Sequence, residues 1–291
     1  MTRALTMSGG GSKGAFSVGV LRHLVKTKNL TFDMISGVSV GAVMGPLVWL
    51  DRFDELEALF RGVESADVFV QLDAVRWSTV GALHSSEPLA GLIAKYIDAD
   101  VYDAMQASPR PFVIGTFCLE TKRMVYWYTG TKVLESRDPY RSMVKISSLA
   151  ELRAAILASC NQPVFMPAVR MRSKHYVDGG LSDTLPGEVC CWNGATELFA
   201  LAVDPPREGL ADAVSTRKLM DVACAAFGYF VYDAADRSIG RTLALCGDDG
   251  IKMHLFRPSR DLPVRSALRF DPDEAADLIT DGERLAQTVL P

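Results

Sequence analysis

The chain has no long apolar run, no excess of positive charge and only four histidines. Its longest apolar stretch near the start, residues 38–50, is about thirteen residues long, short of the roughly twenty needed to span a bilayer. Only a few apolar residues precede the first glycines, so no signal peptide is expected. The balance of 31 Lys and Arg against 35 Asp and Glu gives a net charge of −4. Nucleic-acid binding usually leaves a basic stripe, so no nucleic-acid partner is expected. The same balance argues against a strong, purely electrostatic pull towards anionic membranes. The six cysteines, Cys118, Cys160, Cys190, Cys191, Cys224 and Cys246, have no metal-ligand spacing. The adjacent pair Cys190 and Cys191 suits core filling, and a reducing cytoplasm is the expected compartment. A specialised secretion route would leave no trace in the sequence. Neither a metal nor a cofactor is implied, and the sequence says nothing of oligomeric state.

What is present suits a globular α/β protein. At 291 residues, 48% hydrophobic and 23% charged, the chain can bury one large core. Strands are expected at residues 4–7, 34–37, 112–119, 124–128, 169–171, 175–177, 198–203 and 254–256. Helices are expected at 14–26 and 42–50, from a capping box at Ser148 and Glu151 to about 159, over 215–245, and from Asp271-Pro272-Asp273-Glu274 onwards. This order predicts a mixed, mostly parallel central sheet with helices on both faces. Pro205-Pro206 marks a break, but there are no repeats and no linker long enough to force a second domain. Residues 1–291 are therefore expected to form one domain: a motif-bearing core at about 4–205 and a helical elaboration at about 206–291.

Two glycine-rich turns carry most of the chemistry. Gly9-Gly10-Gly11-Ser12-Lys13-Gly14 follows the first strand, and Gly37-Val38-Ser39-Val40-Gly41 comes about 25 residues later. The second fits a strand-turn-helix elbow that lifts a nucleophilic serine above a sheet, where residues two before and two after must be small. That singles out Ser39, with Gly37 and Gly41 in support. The first turn can supply main-chain N–H groups to a developing oxyanion, because glycines at a helix N-terminus let a ligand approach closely. Gly10 and Gly11 are the expected donors, with Gly9 and Ser12 adjacent. Gly14 completes the turn. Lys13 either raises the local positive potential or is an ordinary surface lysine.

The base is less plain. His23 has the spacing of a helix surface, His84 lies in a loop-like stretch, and His254 is strand-borne and late in the chain. None of the four histidines has a motif around it. Asp178, in His175-Tyr176-Val177-Asp178-Gly179-Gly180, sits at the expected end of a strand, the edge where sites assemble in open α/β sheets. Taken alone, the Asp-Gly pair reads more readily as a simple turn.

Together, in order and spacing, Gly9–Gly14, Gly37–Gly41 and Asp178-Gly179-Gly180 resemble the patatin-like phospholipases. The likeness extends to Gly19-Val20-Leu21, Ala158-Ser159 and the segment Pro163-Val164-Phe165-Met166-Pro167, and covers roughly residues 4–205. It implies a three-layer α/β/α fold and a serine–aspartate dyad without histidine, with Ser39 as nucleophile and Asp178 as general base. The substrates implied are phospholipids, lysophospholipids or related acyl esters, cleaved through an acyl-enzyme, with transient contact at a membrane surface. Two departures bear on loop shape and substrate fit: the 163–167 segment is about one residue shorter than usual with Asn161 in place of a small alanine, and Thr184 replaces a common asparagine.

Competing readings explain less. Gly9, Gly11 and Gly14 also spell G-x-G-x-x-G, with Asp33 about twenty residues on, but Asp33 stands before the second strand rather than at its end. A P-loop is excluded by Ser12 before Lys13 and Gly14 after it. A catalytically silent or partner-regulated binding protein on the same fold would have no need of a strained serine. Two stretches are candidate covers for an acyl cleft. Residues 75–93, with Trp77, Leu83, Pro88 and Leu89, read as a loop; residues 219–232, with Phe227, Tyr229, Phe230 and Tyr232, read as an aromatic helix stripe that packs inward.

Overall fold

The structure, a computed structural model, describes residues 1–209, 219–264 and 266–291. The strands in chain order are β1 (Arg3–Met7), β2 (Met34–Val38), β3 (Val70–Gln71), β4 (His84–Ser85), β5 (Phe112–Cys118), β6 (Arg123–Tyr128), β7 (Arg141–Lys145), β8 (Val169–Met171), β9 (Lys174–Asp178), β10 (Glu197–Leu201) and β11 (Lys252–Phe256). Among the described residues nine of them form one sheet, with β11-β10-β1-β2-β5-β6-β7 as its main path. From β11 to β5 every pairing is parallel. Central strands such as β2 and β10 are buried along their whole length, as a parallel sheet covered on both faces requires.

Helices cover both faces. Gly14–Leu21, Val40–Trp49 and Leu149–Cys160 contribute Phe16, Met44 and Ile156 to the larger core, and the C-terminal helix Pro272–Val289 adds Leu278 and Ile279. On the other face Gly187–Trp192 places Val189, Cys190 and Cys191 against Met34 and Leu198. The mostly parallel three-layer arrangement is the one the sequence predicts. Among the described residues no helix is long and apolar enough to cross a membrane.

One local arrangement matters most for the site. β6 occupies one edge of β5 from Val113 to Cys118. On the opposite edge β2 runs parallel to β5 and stops with Val38 beside Gly115. β9 enters that same edge from the other end, antiparallel, and stops with Asp178 beside Thr116. Two strands that are far apart in sequence therefore end head to head, and the residue after one meets the last residue of the other.

Several expectations need correction. Residues 75–93 do not form a loop: Asp73 caps a helix over Ala74–Val80, β4 follows, and Pro88 opens a helix over Glu87–Tyr96, because proline is well suited to a first turn. His23 is not on a helix surface; it is 3% exposed, and its Nε2 lies 2.7 Å from the Leu290 carbonyl because the C-terminal helix packs over it. Helix Gly14–Leu21 continues as a wider coil over Arg22–Thr27. The strand β7 had no sequence signal, its burial being patchy. In the expected 215–245 helix, residues 215–218 lie outside the described residues; the remainder is one helix, Leu219–Asp248. The side chains of Cys224 and Phe227 also lie outside them. Of the aromatic stripe, Tyr232 packs inward whereas Tyr229 and Phe230 are exposed.

Candidate active site

Ser39 sits between β2 and helix Val40–Trp49 with φ 55 and ψ −125, a conformation that L-residues avoid at a cost of about 1–3 kcal/mol. The turn can be this sharp only without neighbouring side chains. A Cβ on Gly37 would lie 2.4 Å from the Gly41 carbonyl, and one on Gly41 2.4 Å from that of Met7. Several bonds hold the strained residue. Its N–H donates to Ser159 Oγ at 2.8 Å, and that hydroxyl donates onward to the Gly115 carbonyl at 2.7 Å. The Ser39 carbonyl accepts from the Ala42 N–H at 2.9 Å and from the Cys160 thiol at 3.2 Å. Ser159 is fully buried, so it ties the elbow to β5, the strand against which β9 sets Asp178.

Asp178 is 4% exposed. Its Oδ1 accepts the Gly180 N–H at 2.8 Å, and its own N–H donates to the Asn161 carbonyl at 3.0 Å. The Ser39 side chain lies close enough to this carboxylate to act on its titration. Burial pushes the Asp178 carboxyl up from 3.8 to about 7, outweighing the opposing effects of Gly180 and Ser39. Such a group changes charge near neutrality, as a general base must. The nearby Cys160 thiol is driven well above its ordinary range, first by burial and then by Asp178, so it stays protonated.

The glycine loop closes over Ser39 from β1. Gly10 has φ 140 and Gly11 φ 56, and a Cβ on Gly11 would lie 2.0 Å from the Ala267 carbonyl. Two amides of this loop are already engaged: Gly9 N–H donates to the Thr184 carbonyl at 3.1 Å and Ser12 N–H to that of Ala267 at 2.9 Å. Among the described residues the N–H groups of Gly10 and Gly11 have no protein acceptor. Lys13 is no free surface lysine; its Nζ lies 2.8 Å from Asp204. The four histidines are engaged elsewhere: His84 against Phe69, His175 with Glu120, His254 with Glu197, and His23 as above.

Ser39 stands at the junction of two clefts. One, about 640 Å³ with its open mouth, is lined by Val40, Val43, Phe60, Leu89, Met166 and Phe270 among others and is apolar. The other, about 1090 Å³ on the same measure, contains Asp178, Lys13, Asp204, Thr184, Tyr232 and Ser266. Sequence reasoning missed Val43, Phe60, Asp204 and residues 266–270, which carry no motif, whereas Leu89 and Tyr232 fall in the two stretches offered as cleft covers.

The sequence model of the family described as Patatin-like phospholipase matches residues 5–190. The chain belongs to that family. The patatin-like stretch holds the glycine loop, the Ser39 elbow and Asp178, and stops short of Asp204, Tyr232 and the 266–270 segment that complete the clefts. Among curated proteins, the chain is similar to "Triacylglycerol lipase SDP1L" of Arabidopsis thaliana, 40% identical over 87 residues, which are 28% of this chain and 11% of that protein. It is also similar to "Calcium-independent phospholipase A2-gamma" of Mus musculus, 41% identical over 75 residues, 24% of this chain and 10% of that one. The chain thus matches only about a tenth of the length of these curated relatives. The solved structure of VipD from Legionella pneumophila aligns over 99% of this chain and 66% of that one, with 12% identity and a TM-score of 0.41. One of the two departures expected from the resemblance, the short 163–167 segment with Asn161, has a local setting. Asn161 is fully buried, and its Nδ2 donates to Ser86 Oγ at 3.0 Å and to the Pro167 carbonyl at 2.8 Å, bracing the short 163–167 loop. Val164 turns within that loop at φ 73.

Proposed function

We propose that the protein is a serine acyl hydrolase that cleaves fatty-acyl esters of lipids, with phospholipids and lysophospholipids as the leading substrates. Ser39 is the nucleophile and Asp178 the general base. Asp178 takes the hydroxyl proton as Ser39 attacks the ester carbonyl. The Gly10 and Gly11 amides stabilise the oxyanion, and their fixed orientation means no reorganisation is needed as the charge develops. The proton held by Asp178 then passes to the departing alcohol, leaving an acyl group on Ser39. In the second half, water gives its proton to the same carboxylate and attacks the acyl-enzyme, which frees the fatty acid and restores Ser39.

The observation that carries this reading is the strained Ser39 beside a buried carboxylate whose pKa is raised to about 7. The two clefts support the assignment of the halves of the substrate. The apolar one suits an acyl chain; the polar one, which contains Asp178, suits the alcohol that must be protonated. Because 266–270 help to form both clefts, the whole chain acts as one catalytic unit. Transient membrane contact fits the exposed Val70, Val75, Trp77 and Val80 on a segment whose Leu83 and His84 N–H groups bond to Val164 and Phe165, beside the site.

The test is release of free fatty acid from a panel of phospholipids, lysophospholipids and acylglycerols, with Ser39→Ala and Asp178→Asn alongside. Loss of release in both variants, with fluorophosphonate labelling abolished in Ser39→Ala, is the expected result. Release that survives in Ser39→Ala refutes the assignment.

A further inference from the structure

The apolar cleft is not the end of the open space on the acyl side of Ser39. A second cavity, about 300 Å³ on the same measure, is lined by Pro46, Leu47, Ile93, Tyr96, Ile97 and Ile156, and Val43, Leu59 and Leu92 line both spaces. Those three side chains therefore form the wall between them. The second cavity lies inside the protein, since Leu47, Ile93, Ile97 and Ile156 are all buried. A space with such walls stays dry, and what enters it is hydrocarbon. Helix periodicity lines it up with the nucleophile. Helix Val40–Trp49 starts next to Ser39 and carries Val40 in the cleft, Val43 in the wall and Leu47 in the second cavity, which are the i, i+3 and i+7 positions of one face. Helix Glu87–Tyr96 repeats the order with Leu89, Leu92 and Tyr96. Two helices thus lead from the cleft, past the wall, to the second cavity.

We propose that Val43, Leu59 and Leu92 set the upper limit of acyl-chain length by closing the cleft off from the second cavity. This rests on the function given above, in which the apolar cleft holds the acyl chain. A chain whose end meets the wall is buried along its length. Each further methylene must stay in water, which forgoes a gain of about fourfold in binding apiece. The depth behind the wall follows from the helices. Val43 to Leu47 and Leu92 to Tyr96 are the same step along their helices, about 6 Å of rise. An extended hydrocarbon with C–C bonds of about 1.5 Å advances about 1.3 Å per carbon. With the wall removed, the second cavity therefore takes about four further carbons.

The test is a competition among p-nitrophenyl esters of the even-numbered straight-chain acids from butanoate to octadecanoate, mixed in equal amounts in neutral-detergent micelles. Mass spectrometry of the released acids gives the ratios of kcat/KM within one sample. The fraction of folded enzyme therefore drops out, even where a Leu→Ala change lowers stability. Wild type should show a chain length beyond which release falls. Leu59→Ala and Leu92→Ala should each move that limit up by about four carbons. Release of an ester just beyond the wild-type limit, relative to one at it, should rise about tenfold or more. Adding Leu47→Phe to Leu92→Ala refills the second cavity and should bring the limit back, a response that general loosening of the cleft would not give. A wild type with no decline up to octadecanoate, a limit unmoved in both alanine variants, or a moved limit that Leu47→Phe does not restore overturns this inference and leaves the hydrolase reading standing. A wild type that releases no acid from any of the esters overturns both.

Discussion

The buried Asp178 makes a quantitative prediction about pH. A carboxylate at its ordinary 3.8 would be charged throughout the neutral range, whereas Asp178 is pushed up to about 7. Only the deprotonated form can take the Ser39 proton. With one titration at about 7, the active fraction is about 90% at pH 8, half at pH 7, about 10% at pH 6 and about 1% at pH 5. The kcat/KM profile for a soluble, non-ionising ester should therefore climb about tenfold per pH unit below 7 and level off above 8. The same shift acts on stability with the opposite sense. Between about pH 4 and 7 the folded protein holds a proton that the unfolded chain has released. Its contribution to stability is thus complete below about pH 4 and lost as pH rises through 7. A gap of about three pKa units corresponds to about 4 kcal/mol as an upper figure. Asp178→Asn carries no such burden, so its advantage in thermal unfolding should be close to zero at pH 4 and grow to roughly 5–10 °C by pH 8. The variant should be inactive and more stable at once. A rate that stays flat down to about pH 4, or an Asp178→Asn variant with no pH-dependent gain, would refute the argument that a desolvated carboxylate is the base.

Other perturbations test other parts of the site. Ser159→Ala removes the hydroxyl between the Ser39 N–H and the Gly115 carbonyl, leaving buried groups unpaired at about 1–3 kcal/mol each; urea unfolding should show the loss, and fluorophosphonate labelling of Ser39 should slow. Gly11→Ala puts a Cβ 2.0 Å from the Ala267 carbonyl at φ 56, so the oxyanion donors should shift and kcat fall by about a hundredfold or more, measured on the soluble ester. Gly282→Ala sets a Cβ 2.0 Å from the Phe16 carbonyl; separating the C-terminal helix from helix Gly14–Leu21 should lower Tm by several degrees, and an unchanged Tm would show that this contact is dispensable. Replacing Val75 and Trp77 with serine removes exposed apolar area and should weaken sedimentation with zwitterionic lipid vesicles; equal binding by the variant would remove this helix from the membrane-contact surface.

The parts of this protein that could be read in advance are those where one residue type is forced by local geometry. The elbow needs Gly37 and Gly41 whatever surrounds it, and the glycine loop needs backbone angles that other residues resist, so both are visible as strings of letters. Parallel strands such as β1, β2 and β10 appear as short apolar runs because both their faces are buried. The hidden parts depend on tertiary contacts. Asp178 by itself reads as a turn, and only its register opposite Thr116 brings it to Ser39. His23 has the spacing of a surface residue and is buried by a helix more than 250 positions away in sequence, as its contact with Leu290 shows. Residues 75–93 contain glycine, serine and proline that serve as helix ends instead of loop. Tyr232 and the 266–270 segment acquire their place entirely by packing across the site.

The head-to-head ending of β2 and β9 on one edge of β5 has a consequence for the birth of the protein. Ser39 leaves the ribosome before Asp178, which cannot join it until β5 has formed and residue 178 has followed. The carbonyl of Ala267 that steadies the Ser12 amide is made later still. A growing chain therefore carries Ser39 without Asp178 until residue 178 has been added. On the proposed mechanism the site is assembled only after residue 267 has followed, and a chain stopped between the two would carry the elbow without the means to use it.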